Sequence, residues 1–134
     1  MANLNLASFN VRGMRSRNKQ ARVLGDFVAL KVDIAAVQET HFISCGDGRA
    51  LRDGFDVFSA YGSLHSCGVS VLVSRTLSAT VKVVHADAAG RLVVVDVAFK
   101  KSKFRIVAVY APNIAGERVS FFRQLKVFLG GPDR

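Results

Sequence analysis

Five short runs of β-branched and aromatic residues dominate the later part of the sequence and limit the folds that it can adopt. They occupy residues 55–61, 68–74, 79–87, 91–99 and 104–112. Gly, Ser, Asp or Lys residues separate the runs, and KKSK at 100–103 has the composition of a hairpin loop. Short runs with turn residues between them predict a meander of mainly antiparallel strands.

A different pattern precedes the meander. NLNLASFNV at 3–11 and DIAAVQE at 33–39 predict two strands, and QARVLGDFVALKV at 20–32 predicts a helix between them. Gly25 weakens this helix by about 1 kcal/mol relative to Ala. The predicted helix places on one face Val23, Leu24, Phe27, Val28 and Lys31. The order strand, helix, strand favours a βαβ unit with a parallel strand pair.

The last segment, GERVSFFRQLKVFLG at 116–130, predicts a second helix. Its spacing places on one face Val119, Phe122, Leu125 and Leu129, and Gly130-Gly131 is a typical stop signal. The 134 residues contain no internal repeat, low-complexity stretch or linker. We therefore expect residues 1–134 to form one domain or part of one.

The charge of the chain is strongly positive. Lys and Arg number 19 against 10 acidic residues, which gives a net charge of +9 and a pI of about 10.3. Half of the residues are hydrophobic, which argues against a disordered basic tail. A folded domain this basic is typical of proteins that bind polyanions, and nucleic acid is the first candidate. The alternative is a solvated basic surface without a partner.

Cysteine content and hydropathy bear on the compartment. The two cysteines, Cys45 and Cys67, are too few for a disulfide framework, so we expect them to be reduced. No apolar run approaches the roughly 18–20 residues that span a bilayer. MANLNLASFN at the start lacks the basic and long apolar regions of a signal peptide. These features predict an intracellular protein, nuclear or cytoplasmic, without a membrane partner.

Polar residues stand where three predicted strands end. Asn10 closes the first strand, Glu39 closes the second, and Tyr110 with Asn113 closes the last. A buried carboxylate is costly unless it is paired, hydrogen-bonded or bound to a metal. In open α/β sheets, ligands commonly bind where strand ends converge. The alternatives are a turn residue at Asn10, a solvated strand end at Glu39 and a half-buried aromatic at Tyr110.

Five motifs stand together in a recognisable order: SFNVRG (8–13), VQETHF (37–42), GVSVLVS (68–74), GRLVVVDV (90–97) and VYAPN (109–113). This order and spacing resembles the endonuclease/exonuclease/phosphatase superfamily. The chain is most similar to the apurinic-endonuclease-like domain that precedes reverse transcriptase in non-LTR retrotransposons. Thr40-His41 and the VYAPN form resemble the retroelement branch more than the repair enzymes.

The resemblance implies an α/β (α+β) fold: a four-layer α/β/β/α sandwich with mixed, mainly antiparallel sheets, built as two similar halves. Residues 1–134 would then be the N-terminal half, truncated before the C-terminal catalytic motifs. In the family a Gly-Asp-Phe-Asn-like strand end and a Ser-Asp-His-like motif follow, and the sequence contains neither. Asp133 stands near the first of these positions, but its GPDR context predicts a loop.

The resemblance also implies metal-dependent hydrolysis of phosphodiesters, usually in DNA, with Mg²⁺ as the cofactor and Mn²⁺ as a possible substitute. Glu39 resembles the metal-binding glutamate, and Asn10 resembles the asparagine that lines the metal and phosphate site. Tyr110 and Asn113 resemble groups that contact the reacting phosphate. Magnesium is a hard ion that takes one or two carboxylates and keeps several waters, so one glutamate at a strand tip suits it.

Basic residues supply the expected contacts with DNA. Arg91, beside Gly90, resembles a DNA-backbone contact, and Arg12 and Arg15 belong to a basic loop that is expected to bind phosphate. The KKSKFR segment at 100–105 is a further candidate. His41, His65 and His85 are expected to be structural, because none matches the histidine of the family.

Alternative functions stay open at this point. With half of a catalytic site, the chain alone is expected to be inactive and marginally folded, because losing members of a concerted site costs orders of magnitude in rate. It would then need the missing C-terminal half, with DNA and no small molecule as partner. The alternatives are a catalytically dead nucleic-acid-binding module, a phosphoinositide or sphingomyelin phosphodiesterase of the same superfamily, and a decayed reading frame.

Overall fold

Strands and helices follow one another in the predicted order in the computed structural model of the chain, which describes residues 3–130. The strands are β1 (Leu6–Asn10), β2 (Ile34–Gln38), β3 (Phe55–Ala60), β4 (Val69–Ser74), β5 (Ala79–Ala86), β6 (Leu92–Phe99) and β7 (Ser102–Val109). The α-helices are α1 (Arg17–Ala29) and α2 (Ala115–Leu125). Two 3₁₀ segments, Cys45–Asp53 and Lys126–Phe128, complete the elements, and the first of them was not predicted.

The strands form two sheets. Sheet I has the order β1-β2-β4-β3, and sheet II has the order β5-β6-β7. The β1–β2 pair is parallel, as the βαβ pattern predicts, and every other pair is antiparallel. The mixed, mainly antiparallel character expected from the sequence is therefore confirmed.

The chain forms four layers with three apolar cores between them: a helical layer with α1, sheet I, sheet II and a helical layer with α2. The first core lies between sheet I and α1 with the Cys45–Asp53 segment, and its largest members are Met14, Phe27, Phe42, Leu51 and Phe55. The second core joins the two sheets and contains Ile34, Val69, Val71, Val73, Val93, Val95 and Val97. The third lies between sheet II and α2 and contains Leu92, Val94 and Phe121. The α/β/β/α layering is confirmed.

Strand β6 shows why the sequence runs GRLVVVDV without alternation. Val93, Val95 and Val97 face sheet I, whereas Leu92 and Val94 face α2. A strand buried on both faces needs apolar side chains at consecutive positions. Asp96, on the α2 side, is the polar exception.

Asp96 lies in a partly buried ion pair with Arg105 of β7. Arg105 Nε and Nη2 donate to the two carboxylate oxygens of Asp96 at 2.6 and 3.0 Å, and Nη1 donates to the Phe128 carbonyl at 3.1 Å. The hydrogen bond and charge of Arg105 hold the pKa of Asp96 below its ordinary value of 3.8 against the opposing effect of burial. The pair thus joins β6 and β7 to the segment that follows α2.

Both predicted helix faces are partly wrong. In α1 the predicted face holds for Val23 and Phe27, but Val28 is 63% exposed. Helix α1 also begins at Arg17, earlier than expected, because the Ser16 side chain accepts a hydrogen bond from Lys19 N at 3.1 Å and caps it.

In α2 the predicted face is displaced by about one residue. Phe121 is buried and Leu125 and Phe128 pack beside it, whereas Val119 and Phe122 are 54% and 47% exposed. Phe121, Leu125 and Phe128 also have helical spacing, so the sequence offers two apolar stripes about 100° apart. Packing on Leu92 and Val94 selects the stripe that contains Phe121.

Strand β1 is an exposed edge. Leu6 lies opposite Ile34 in the register, and Ile34 is buried between the sheets, yet Leu6 is 60% exposed. The two residues differ in exposure because sheet II covers only part of sheet I. Strand β7 packs over β2 and β4, whereas in the described residues no strand of sheet II covers β1. The inter-sheet face of β1 is thus open to solvent.

Cys45 and Cys67 are both free, as expected. Within residues 3–130, no helix has the length and apolar character that crossing a membrane requires.

Gly90 and Gly25 provide a matched test of the fold. Gly90 has φ of +72°, and a Cβ there would lie 2.6 Å from the Tyr61 carbonyl oxygen, whereas nothing lies within 4 Å of a Cβ at Gly25. We expect Gly90→Ala to lower the free energy of unfolding by about 1–3 kcal/mol and Gly25→Ala to raise it by about 0.5–1 kcal/mol. Urea denaturation followed by circular dichroism measures both changes, and equal effects of the two substitutions would contradict the assigned backbone conformation.

The Asp96–Arg105 pair predicts a pH-dependent stability. Because the pKa of Asp96 is lowered on folding, its contribution is present above the unfolded pKa of about 4 and is lost as the pH falls through the lower folded pKa. Asp96→Asn should therefore lower the urea midpoint at pH 7, and its difference from the wild type should shrink below about pH 4. Asp26→Asn, on the exposed face of α1, is the control and should show no such dependence.

Candidate active site

Asn10 and Glu39 lie at one edge of sheet I. Strands β1 and β2 are parallel, and Asn10 is in register with Gln38, the residue before Glu39. The carboxyl ends of both strands therefore meet at this edge. Asn10 Oδ1 accepts a hydrogen bond from Arg12 N at 3.1 Å, so the amide oxygen also shapes the turn that leaves β1.

Tyr110 reaches Glu39 from the other sheet. It follows β7, packs at the margin of the core between the sheets, and donates a hydrogen bond from its hydroxyl to Glu39 Oε1 at 3.2 Å. The two residues are 71 positions apart in the sequence. The packing of sheet II on sheet I therefore brings together two of the residues predicted to form the site.

The environment of Tyr110 favours the neutral phenol. Burial raises the pKa of Tyr110 above its ordinary value of 10.0, the charge and hydrogen bond of Glu39 raise it further, and Arg91 opposes the shift. At neutral pH the hydroxyl is thus a donor. Glu39 and Tyr110 form a carboxylate–phenol pair whose two members differ in charge.

The backbone at Glu39 adopts a conformation that few non-glycine residues use. Glu39 has φ of +58° and His41 has φ of +61°, both in the left-handed region. The Glu39 carbonyl accepts from Gly13 N at 2.6 Å, Thr40 N donates to Gly68 O at 3.0 Å, and His41 N donates to Cys67 O at 3.0 Å. Hydrogen bonds from the loops that follow β1 and precede β4 hold this conformation, which turns Glu39 out of the strand.

The same network continues into sheet II. Gly68 N donates to Gly90 O at 2.8 Å, and Tyr110 N donates to Arg91 O at 2.8 Å. Thr40, fully buried, accepts from Phe42 N through its Oγ1 at 3.2 Å. A continuous set of loop hydrogen bonds therefore connects the backbone of Glu39 with the backbone of Tyr110.

Arg91 contacts Tyr110, which the sequence did not predict. Its Nη1 donates to the Tyr110 carbonyl at 3.3 Å, and its guanidinium carbon lies 5.6 Å from the centre of the Tyr110 ring. Asp87 Oδ1 in turn accepts from Arg91 N at 2.8 Å and from Leu92 N at 3.1 Å. Arg91 thus positions Tyr110.

Asp87 was missed at the sequence level. The DAAGR stretch has an acidic residue followed three positions later by Gly, which is a recognised β-turn pattern. This pattern could have identified a turn at Asp87–Gly90, which the Asp87 carboxylate closes by accepting from the Arg91 and Leu92 backbone N–H groups.

The remaining predicted residues are less closely joined. Asn113 is exposed in the loop before α2, and within residues 3–130 no hydrogen bond connects it to Glu39 or Tyr110. Arg12 is exposed with φ of +52°, and Arg15 forms a long ion pair with Asp47 at 3.5 Å. Lys100, Lys101 and Lys103 lie toward the other end of β6 from Arg91, roughly 25–30 Å away along the strand, whereas Arg105 pairs with Asp96 and lies about 17 Å away.

The three histidines lie in different surroundings, and two of their rings pack against neighbouring residues. The His41 ring lies against Gly13, with Nδ1 2.7 Å from where a Cβ would stand, and His85 stacks on Phe128 at 4.9 Å between ring centres. His65 N donates to Ser63 Oγ at 3.4 Å in an exposed turn. Asp133 lies outside the described residues.

The contact between Arg91 and Tyr110 is testable by fluorescence, since the chain has two tyrosines and no tryptophan. In a Tyr61→Phe background the emission comes from Tyr110 alone. We expect Arg91→Ala to increase acrylamide quenching of this emission, because the guanidinium covers part of the ring. Arg91→Lys should restore the charge but not the stacking, and Arg118→Ala on α2 is the control. Unchanged quenching in Arg91→Ala would contradict the positioning role.

Several solved structures share the fold of this chain. No protein-family model matches the sequence. An AP endonuclease, LMAP, from Leishmania major superimposes with a TM-score of 0.68 at 19% identity, over 91% of this chain and 46% of that protein. The endonuclease domain of TRAS1, a telomere-specific non-LTR retrotransposon, gives 0.62 at 17% identity, over 93% and 52%.

TDP2 from D. rerio, complexed with a single-strand DNA product, gives a TM-score of 0.63 at 15% identity, over 92% of this chain and 52% of that one. The chain therefore spans about half the length of these structures. Its two packed sheets and flanking helices are consistent with the N-terminal half of a sandwich fold. The chain has the fold of the endonuclease/exonuclease/phosphatase superfamily and represents about half of it.

Proposed function

We propose that this chain is the N-terminal part of a metal-dependent DNA endonuclease that hydrolyses phosphodiesters. The observation that carries the proposal is the 3.2 Å contact between Tyr110 and Glu39 at the edge where the two sheets meet. It places the Glu39 carboxylate, which can bind a cation, beside the Tyr110 hydroxyl, which can donate a hydrogen bond to a phosphate oxygen. The net charge of +9 and the fold shared with AP endonucleases and the TRAS1 endonuclease domain support DNA as the substrate.

The available donors fit a hard divalent ion such as Mg²⁺, or Mn²⁺ in its place. Glu39 offers a carboxylate and Asn10 an amide oxygen, and oxygen ligands are what these ions prefer. Within residues 3–130 no group of three or more His, Cys, Asp or Glu residues could enclose a metal. Glu39 and Asn10 would therefore hold one side of the ion, and water, phosphate and residues beyond this chain would complete its shell. When bound, the ion stabilises negative charge on the phosphoryl oxygens.

The neutral side chains then bind and orient the phosphate. Tyr110 is a donor at neutral pH, and its hydroxyl can turn from Glu39 to a phosphate oxygen without placing a second cation beside the metal ligand. Asn113 and the amide nitrogen of Asn10 are further neutral donors near this edge. Arg91 keeps Tyr110 in place and can offer its remaining N–H groups to the DNA backbone.

The chain supplies only part of such a site. By resemblance, the groups that orient the attacking water belong to the half of the domain that this chain does not cover. The open inter-sheet face of β1, where Leu6 is 60% exposed, is a surface that a further half would cover. We therefore expect the complete site to need a polypeptide that supplies the second half, and the chain alone to be inactive.

Metal binding tests the proposal without relying on activity. Mn²⁺ binding measured by electron paramagnetic resonance should be detectable in the wild-type chain and should weaken at least about ten-fold in Glu39→Gln. Glu117→Gln, on the exposed face of α2, makes the same change in charge and should bind as the wild type does. Equal affinities of Glu39→Gln and Glu117→Gln would contradict the assignment of Glu39 as a ligand.

A plasmid-nicking assay separates the enzyme from a binding module. We expect the 134-residue chain to bind DNA in a salt-sensitive manner and to produce no nicks above the metal-free blank. Robust magnesium-dependent nicking that Glu39→Gln abolishes would show that the chain is sufficient for catalysis, against our expectation. DNA binding without any Mn²⁺ binding would favour a catalytically dead binding module.

A further inference from the structure

Thr40, the residue after Glu39, is fully buried in the turn that leaves β2. A buried hydroxyl is costly unless it is hydrogen-bonded. Thr40 N donates to the Gly68 carbonyl at 3.0 Å, and the Thr40 carbonyl accepts from Met14 N at 3.0 Å. The Thr40 Oγ1 accepts from Phe42 N at 3.2 Å. The loops after β1 and before β4 therefore hold the main chain of Thr40, while its hydroxyl holds the residue two positions later.

The contact between Thr40 Oγ1 and Phe42 N closes a turn around His41. A threonine hydroxyl that bonds to the backbone two residues later is a known turn-forming contact. His41, inside this turn, has φ of +61°, and Glu39, just before it, has φ of +58°. Thr40 thus stands between two non-glycine residues in the left-handed region, a conformation that persists only where the surroundings enforce it.

Gly68 limits the place that the Thr40 hydroxyl can occupy. It has φ of +90°, and a Cβ at this position would overlap Thr40 Oγ1 and lie 3.0 Å from His41 N. A glycine here lets the loop before β4 come into direct contact with the turn. The hydroxyl of Thr40 therefore lies in a defined position between the Gly68 backbone and Phe42 N.

The direction of the Glu39 side chain depends on this turn, because the φ angle of residue 39 sets where its Cβ points. In the observed conformation Glu39 Oε1 accepts from the Tyr110 hydroxyl at 3.2 Å. A turn that relaxed toward extended backbone would move the carboxylate away from Tyr110, which belongs to the other sheet.

We propose that Thr40 is a positioning residue, whose buried hydroxyl fixes the turn after β2 and so directs the Glu39 carboxylate to Tyr110 and to the cation. Because Thr40 is buried, it acts through Glu39 and touches neither the ion nor the phosphate. The part that concerns the cation rests on the proposed function, whereas the part that concerns the contact between Glu39 and Tyr110 does not.

Three substitutions separate the hydroxyl from the rest of the side chain. Thr40→Val keeps the shape and removes the acceptor, and Thr40→Ser keeps the acceptor. Ser70→Ala is the matched control, because Ser70 is also fully buried and its Oγ lies 2.6 Å from Ser59 Oγ, within sheet I and outside the turn. Circular dichroism confirms that each variant is folded.

Tyr110 emission in the Tyr61→Phe background tests the positioning without a metal. A carboxylate that accepts from a tyrosine hydroxyl quenches the emission of that tyrosine. We expect Thr40→Val to raise the emission toward the level of Glu39→Gln, and Thr40→Ser and Ser70→Ala to leave it at the wild-type level. No rise in Thr40→Val would overturn the proposal, and so would an equal rise in Thr40→Ser or Ser70→Ala.

Mn²⁺ binding followed by electron paramagnetic resonance tests the consequence for the cation. The affinity should fall about ten-fold in Thr40→Val, as when a residue that orients a metal ligand is removed. Thr40→Ser and Ser70→Ala should bind Mn²⁺ as the wild type does. Wild-type affinity in Thr40→Val would overturn the positioning role.

A smaller pair of variants serves if Thr40→Val does not fold. Thr40→Ala and Thr40→Ser are both smaller than threonine and differ only in the hydroxyl, so the emission should rise in the first and not in the second. Hydrogen exchange of the wild-type chain adds a measurement that needs no variant. The Phe42 amide should be protected, and exchange as fast as in the exposed turn at 63–66 would overturn the proposal.

The failure of this inference differs from the failure of the proposed function. A rise of Tyr110 emission in Thr40→Val, in a chain that binds no Mn²⁺, would support the positioning of Glu39 and contradict the metal site. Mn²⁺ binding that Glu39→Gln weakens and Thr40→Val leaves unchanged would support the metal site and overturn the role of Thr40.

Discussion

The face-to-face packing of the two sheets is the constraint on which the site depends. Val71 and Val73 of β4 pack against Val93, Val95 and Val97 of β6 in a core that excludes water. Each fully buried valine contributes about 1.5–3 kcal/mol relative to an exposed one. This packing fixes the position of β7 over β2, and Tyr110 meets Glu39 only because the ends of these two strands coincide. The contact between Tyr110 and Glu39, which are distant in the sequence, thus depends on the packing of apolar side chains elsewhere in the two sheets.

A second constraint acts on the backbone between the sheets. Glu39 leaves β2 with φ of +58°, a conformation that costs of order 1–3 kcal/mol for a non-glycine residue. Two loops offset this cost by hydrogen bonds to residues 39–41, and a third, at Gly90, holds the second of them through Gly68. Gly68 and Gly90 make the close approach of these loops possible, because a side chain at either position would collide with a neighbouring residue. The strain and the glycines therefore belong to one arrangement, which aims the carboxylate at the sheet edge.

The sequence predicted the positions of the strands and helices better than it predicted which of their side chains are buried and what they contact. Runs of valine identify β4 and β6, and the polar ends of β1 and β2 identify the edge that contains Asn10 and Glu39. The faces of the helices were less predictable, since Phe121 and Phe122 belong to two competing stripes and only the shape of sheet II selects between them. The conformation of Glu39 and the contact of Arg91 with Tyr110 depend on distant loops, so no local pattern indicates them. The Cys45–Asp53 segment is short, contains two glycines, and is held by distant contacts: Gln20 donates to the Asp47 carbonyl and Leu51 packs into the first core.

The candidate site is organised by contacts within the described part of the chain. Glu39 is held by the backbone network, Tyr110 by Arg91, and Arg91 by Asp87, and each of these contacts lies within residues 3–130. A second half that adds to the open edge of β1 would therefore meet side chains already in place and would lose little free energy in ordering them. In the proposed metal site this rigidity would favour binding through one carboxylate, because a ligand that is already fixed loses little conformational freedom when the ion binds.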